Sequence, residues 1–213
     1  MTYQRSEKLR LMTYNVHSCI GSDGEVSTYR IADVIAGYDP DVVALQELDS
    51  GLARTNNAHQ AEEIARHLNM DFHFHPSMEL QEGRYGNAIL SRFPLRLRQA
   101  GALPTAGWWR ALEQRGAIWA TIDAGDREIQ IINTHFGLNW RERVAQAEAL
   151  LGARWAAHSA CKEPLIICGD FNTLPISPVY RRFRKILHDA QLAIKGWKPQ
   201  STYPSRYPLA RID

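Results

Sequence analysis

Two apolar runs, residues 117–123 and 128–135, are separated only by "AGDR". A linker that short allows a tight hairpin turn and nothing longer, whereas parallel neighbours need a crossover of about a dozen residues or more. At least part of the sheet is therefore antiparallel, which disfavours a purely parallel doubly wound sheet. Elsewhere short apolar runs alternate with amphipathic stretches: "LRLMTYNV", "TYRIADVIAGY", "DVVALQEL", "AHQAEEIARHLN". The two patterns together predict an α/β sandwich of two sheets. Strands are expected at residues 9–16, 42–47, 72–75, 86–91, 117–123, 128–135 and 164–169, each bounded by Gly, Pro or Asp. Over residues 140–155, Trp140, Val144, Ala147, Leu151 and Trp155 recur at helical spacing, which predicts a helix lying on a sheet. The tract "KGWKPQSTYPSRYPLA" is expected to be an ordered surface loop.

With 213 residues, 45% of them hydrophobic, the chain suits one domain over residues 1–213. A net charge of +2 creates no field that would make nucleic acid the default partner, although local recognition of phosphate stays open. Cys19, Cys161 and Cys168 are odd in number and lack metal-knuckle spacing, which predicts reduced thiols and a cytoplasmic location. The start "MTYQRSEKLRLMTYNV" lacks a signal-peptide pattern, no stretch is apolar enough to span a bilayer, and no obligate protein partner is evident.

The chemistry lies where polar residues end apolar runs. Asn15 follows "LMTY", Glu47 follows "VVALQ", His135 follows "IINT", and Asp170 and Asn172 follow "LIIC" within "GDFN". Ends of neighbouring strands converge in space, so four strands would deliver these groups to one place. Two carboxylates and two carboxamides favour a hard cation, Mg2+ or Mn2+, over zinc, and a phosphoryl substrate fits such an ion.

The blocks "MTYNVH", "ALQELD", "YGNAILSRFPL", "INTHF", "CGDFN" and "RID", in this order, resemble the endonuclease/exonuclease/phosphatase family of metal-dependent phosphoesterases. The resemblance covers nearly the whole chain. It implies a four-layer αββα sandwich of two mixed β-sheets flanked by helices. It further implies that Glu47 is the principal metal ligand and that Asn15 helps to hold or position the same ion. By the same likeness Asp170 prepares the attacking water, Asn172 donates to the phosphate, His135 contacts the scissile phosphate, and Asn87 reaches toward the site. Between Arg84 and Arg115 lie six arginines and one acid, Glu113; most suit a solvated surface, and Arg115 is the candidate phosphate contact. "YRRFRK" at 180–185 suits the exposed face of a helix.

Asp213 matches a family aspartate that orients a catalytic histidine in a later Ser-Asp-His block. That block and the closing strands are absent, so the expectation is a C-terminally incomplete domain, weakly active and less stable than a longer form. The implied activity is metal-assisted hydrolysis of phosphodiesters, with phosphomonoesters also open, on a nucleic acid or on a lipid or other small molecule. The alternative is a non-catalytic binding module of the same fold.

Overall fold

The computed structural model describes residues 8–80, 82–105 and 113–213. The first half forms β1 (Leu11–Asn15), α1 (Thr28–Tyr38), β2 (Val42–Ser50), α2 (Gln60–Leu68), β3 (Asp71–Leu80) and β4 (Gly83–Ser91). Their strands make a sheet of order β1-β2-β4-β3, in which only β1 and β2 run parallel. The second half forms β5 (Leu95–Ala102), β6 (Gly116–Asp123), β7 (Glu128–His135), α3 (Trp140–Leu151), β8 (Leu165–Asp170), α4 (Pro178–Phe183) and α5 (Ala190–Ala193). Its sheet has the order β5-β6-β7-β8, again with one parallel pair, β7 and β8. The expected hairpin joins β6 to β7: Ala124 N–H donates to the Arg127 carbonyl at 3.0 Å, and Gly125 takes φ +89°.

Side chains alternate along a strand, so a strand buried on both faces needs apolar residues at every position. β2 shows the result: Val42 and Ala44 face the other sheet among Ile89, Ile118, Ile122 and Ile131, while Val43 and Leu45 face the helices with Ile35 and Ile64. A third core, with Trp119, Ile132, Phe136, Ala147 and Leu150, lies between the second sheet and its helices. The layers run helix, sheet, sheet, helix, as the resemblance implies.

Three details depart from expectation. β5 is an eighth strand beyond the seven expected. β2 continues past Glu47 to Ser50, with a break of register between Leu45 and Leu48. In α3 the expected inward stripe fails at its start, because Trp140 is 61% exposed. The inward face instead carries Glu142, Gln146, Ala147 and Leu150. Gln146 turns inward because it has backbone to satisfy: it accepts from Gly137 N–H at 2.9 Å and donates to the Pro104 carbonyl at 3.2 Å. The tract at 195–210 is exposed irregular chain, closed by one bridge between Tyr203 and Ala210.

Candidate functional site

Glu47 reaches the site because β2 bulges there. Its φ of +60° takes it out of the ladder between Leu45 and Leu48, a conformation most side chains avoid. The bulge is fastened from the opposite sheet. Asn133 Nδ2 donates to the carbonyls of Leu45 at 2.9 Å and Ala88 at 2.8 Å, and Gln46 Nε2 donates to Asn133 Oδ1 at 2.8 Å. Both amide side chains are fully buried. Carbonyls without a partner there would cost about 1–3 kcal/mol each, so the pair fixes the inter-sheet register beside Glu47.

Asn15 closes β1. Its Nδ2 donates to Glu47 Oε1 at 2.7 Å and to Asp170 Oδ2 at 3.0 Å, while its Oδ1 accepts from His17 N–H at 3.1 Å. One carboxamide thus bridges two carboxylates that would otherwise repel. His17 sits at the rim with Nδ1 3.1 Å from Glu47 Oε2. His17, Ser18 and Cys19 take φ of +48°, +52° and +57°, three left-handed residues in succession. Such geometry costs roughly 1–2 kcal/mol per residue. It is held by Ser18, whose hydroxyl donates to the buried Asp49 at 3.1 Å and whose carbonyl accepts from Gln60 at 2.6 Å.

The second sheet supplies the rest. His135 ends β7 and Asp170 ends β8, directly opposite each other in the ladder. Gly169 permits that approach, since a Cβ there would lie 1.9 Å from the Thr134 carbonyl oxygen. Asn172 N–H donates to Asp170 Oδ1 at 2.9 Å; Asn172 Nδ2 donates to the Phe136 carbonyl at 2.9 Å and lies 3.0 Å from His135 Nε2. At the other ring nitrogen, Arg115 Nη1 lies 3.1 Å from Nδ1, and Arg115 Nη2 pairs with Glu113 at 2.8 Å. A guanidinium can only donate, and so can an amide nitrogen. The ring must therefore offer a lone pair, which excludes the doubly protonated imidazolium. Burial, reinforced by the Arg115 charge, pulls the His135 pKa down to about 3.

The two carboxylates are driven apart in acidity. Burial works to raise Glu47, but donation from Asn15 and the nearby His135 and His17 hold it below the usual carboxylate range. Asp170 is raised, first by burial and then by the negative charges of Asp213 and Glu47. The His135 Nε2 stands 3.9 Å from Glu47 Oε1 and 3.8 Å from Asp170 Oδ2. An ionised carboxylate beside one of raised basicity is the arrangement that separates a charge-holding role from a proton-accepting one.

Asn15, Glu47, His135, Asp170 and Asn172 thus meet in one place. Asp213 joins them: Ile212 accepts from Phe171 N–H at 2.9 Å, and Arg211 grips Asp189 at 3.0 and 2.6 Å, which seats Asp213 near Asp170. Asn87 is buried and donates to the Gly116 carbonyl at 3.2 Å, linking the two sheets. Arg115 is buried, its terminal nitrogens engaged as above and its Nε without a partner among the described residues. Of the other arginines, Arg92 pairs with Asp39, Arg96 pairs with Glu128 and Arg98 lies over Trp119; Arg110 falls outside the described residues. Sequence reading missed His17, Gln46, Asn133 and Tyr85, whose hydroxyl lies beside Glu47 and whose ring lies 5.5 Å from the Arg54 guanidinium. All four stand inside the motif blocks.

Among the described residues no three His, Cys, Asp or Glu side chains form a ready metal cage. The carboxylate of Glu47 nonetheless suits Mg2+, which is commonly held by one or two carboxylates, waters and substrate phosphate.

The profile described as "Endonuclease/Exonuclease/phosphatase family" matches residues 12–213. The uncharacterized protein YbhP of Escherichia coli (strain K12) is 25% identical over 215 residues, covering 96% of this chain and 82% of the relative. An endonuclease/exonuclease/phosphatase family protein from Leptotrichia buccalis C-1013-b superposes with a TM-score of 0.72 at 18% identity, over 97% of this chain and 86% of that one. The human Nocturnin catalytic domain, with bound sulfate anion, superposes with a TM-score of 0.67 at 24% identity, over 92% of this chain and 78% of that one. At such identities the structural likeness shows the fold.

Proposed function

This chain belongs to the endonuclease/exonuclease/phosphatase family, and from that premise we propose that it hydrolyses phosphate esters, phosphodiesters foremost, by in-line attack of water with Mg2+ or Mn2+ as cofactor. The observation that carries this reading is the opposed displacement of Glu47 and Asp170 around one shared carboxamide, Asn15. Glu47, kept ionised, is the ligand for the cation, with Asn15 holding its carboxylate in place. A bound divalent ion supplies Lewis acidity at a non-bridging phosphate oxygen. Asp170, the more basic carboxylate, takes a proton from the attacking water, and Asn172 N–H fixes which carboxylate oxygen faces it. His135, kept neutral between Arg115 at Nδ1 and the Asn172 amide at Nε2, donates Nε2–H to a phosphate oxygen once that amide has turned from it to the same anion. Asp213 keeps Asp170 basic. The sulfate held by the Nocturnin domain is consistent with a tetrahedral oxyanion as the group recognised in this fold.

Hydrolysis of a generic activated phosphodiester, measured with magnesium and with a chelator, tests the reading. Magnesium-dependent turnover supports it. Absence of turnover at any divalent ion would leave a binding module with the same fold. Cys19, Cys161 and Cys168 are all free, which fits the proposed cytoplasmic location. Among the described residues no helix is long and apolar enough to cross a membrane.

A further inference from the structure

Asp49 and Tyr85 stand opposite each other in the ladder between β2 and β4, so their side chains leave the sheet on one face. The candidate site lies on that face, because the Tyr85 hydroxyl is beside Glu47 and Tyr85 lines the same groove as Glu47 and His135. Both strands are interior to their sheet. The turn Ala53–Thr55 folds over this pair and brings the Arg54 guanidinium carbon to 5.5 Å from the centre of the buried Tyr85 ring. Asp49 is fully buried and accepts four hydrogen bonds: from Ser18 Oγ at 3.1 Å, from Thr55 Oγ1 at 3.0 Å, and from Arg54 Nε and Nη2 at 2.7 Å each. One edge of the guanidinium, Nε with Nη2, is thereby spent. The other edge, Nη1 with the second Nη2 proton, meets among the described residues only the Ser18 hydroxyl, at a long 3.4 Å from Nη2, and the side chain stays 52% exposed.

An ion pair with one partner sealed in the protein adds little stability, since desolvation offsets its attraction. What this one does is hold a guanidinium still, one tyrosine ring away from Glu47, with an edge left over. That edge matches two oxygens of a tetrahedral oxyanion, fork to fork, and its ordering cost is already met by Asp49. The acid within electrostatic reach of it, Glu113, is itself taken by Arg115. We infer, on the reading of this groove as a phosphoester site, that Arg54 binds a second phosphate of the substrate beside the scissile one. The chain then selects phosphodiesters that carry two phosphates over those that carry one. The second phosphate can be the next link of a nucleic-acid strand or a terminal monoester; both offer the fork the same oxygens.

Calorimetry with magnesium, in an Asp170→Asn background that holds ligand without turning it over, tests this. The ligands are thymidylyl-thymidine, which has a single phosphate, its 5′-phosphorylated and 3′-phosphorylated forms, and the trithymidine diphosphate. At least one of the ligands with two phosphates should bind roughly tenfold or more tightly than the first, the gain of one charge-assisted contact. Preference for the trithymidine form identifies a strand, and preference for a terminal phosphate identifies a small bisphosphate. In the same background the paired change Asp49→Asn with Arg54→Gln, which leaves no buried charge unpaired, should bring that ratio close to one. Arg54→Lys, which keeps the charge and loses the fork, should bring it part of the way. The thermal midpoint and the magnesium affinity show whether each variant is folded. Equal affinity for all the ligands before Arg54 is changed, binding of none, or a ratio that survives the paired change would overturn the assignment. Hydrolysis is read separately: selectivity that depends on Arg54, with no ester turned over by the unaltered chain, would sink the catalytic reading and leave Arg54 as a phosphate contact.

Discussion

Arg115 and His135 form a contact in which the guanidinium Nη1 meets the imidazole Nδ1 at 3.1 Å, both side chains buried. The usual partner of a functional imidazole is a carboxylate or carbonyl that accepts from it. Here the polarity is reversed. With Arg115 at Nδ1 and the Asn172 amide 3.0 Å from Nε2, the ring faces a donor on each side, so at least one nitrogen keeps its lone pair and His135 carries no charge.

Replacing Arg115 by methionine should let that ring ionise. Its pKa should climb from about 3 part of the way toward the ordinary 6.5, burial accounting for the remainder, whereas Arg115→Lys should keep it low. An NMR titration of His135 in the two variants reads this directly, and an unmoved value in the methionine variant would refute the role. The sign for stability follows. The folded pKa lies below the unfolded one, so stability is lost as the pH falls from about 6.5 toward 3, and that slope should be shallower in Arg115→Met.

Glu47→Gln should weaken magnesium binding strongly in calorimetry and lower turnover by roughly a thousandfold, the equivalent of several kcal/mol of lost charge stabilisation. The bulge should survive, because Asn133 rather than Glu47 fastens it. Unchanged magnesium affinity would sink the assignment.

Asp170→Asn should abolish turnover by about 100-fold to 10,000-fold while leaving magnesium affinity and folding nearly intact. Because the Asp170 pKa is raised, the parent should lose activity on the acid side at a higher pH than an ordinary aspartate would set. Residual activity in the variant should lack that acid limb; parental rates in the variant would show that another group accepts the proton.

Asn133→Leu should cost roughly 1–3 kcal/mol in denaturant unfolding, about 0.5–1.5 kcal/mol for each of the two hydrogen bonds it removes at the Leu45 and Ala88 carbonyls. A double-mutant cycle with Gln46→Leu should show coupling of about 0.5–3 kcal/mol. Additive costs would mean that the two amides do not act as one clasp.

The layers and the meeting of five site residues were legible because apolar strands that end in polar residues leave few places for those residues to go. "AGDR" fixed the antiparallel pairing for the same reason: four residues permit one connection. Where sequence failed, a contact had replaced a pattern. β5 escaped notice because "LRLRQAGA" alternates leucine with arginine at a sheet edge, where charge is an ordinary safeguard and not a sign of loop. The inward turn of Arg115 was equally illegible. Nothing in "EQRGA" shows that its side chain turns inward to a histidine twenty residues later. Gln46 and Asn133 each interrupt an apolar run, but one polar residue in such a run does not disclose that its partner lies on the other sheet.

The amide clasp makes the site a vernier across two plates. Glu47 and Asn15 ride on one sheet, His135, Asp170 and Asn172 on the other, and the 2.8 Å bond between Gln46 and Asn133 sets their alignment. A slip of one residue along a strand is about 3.3 Å. That exceeds the tolerance of every hydrogen bond spanning the seam, while each sheet would keep its own ladder whole. Heat or denaturant that loosens the layer between the plates should therefore silence the protein while its strands still give a native far-ultraviolet spectrum.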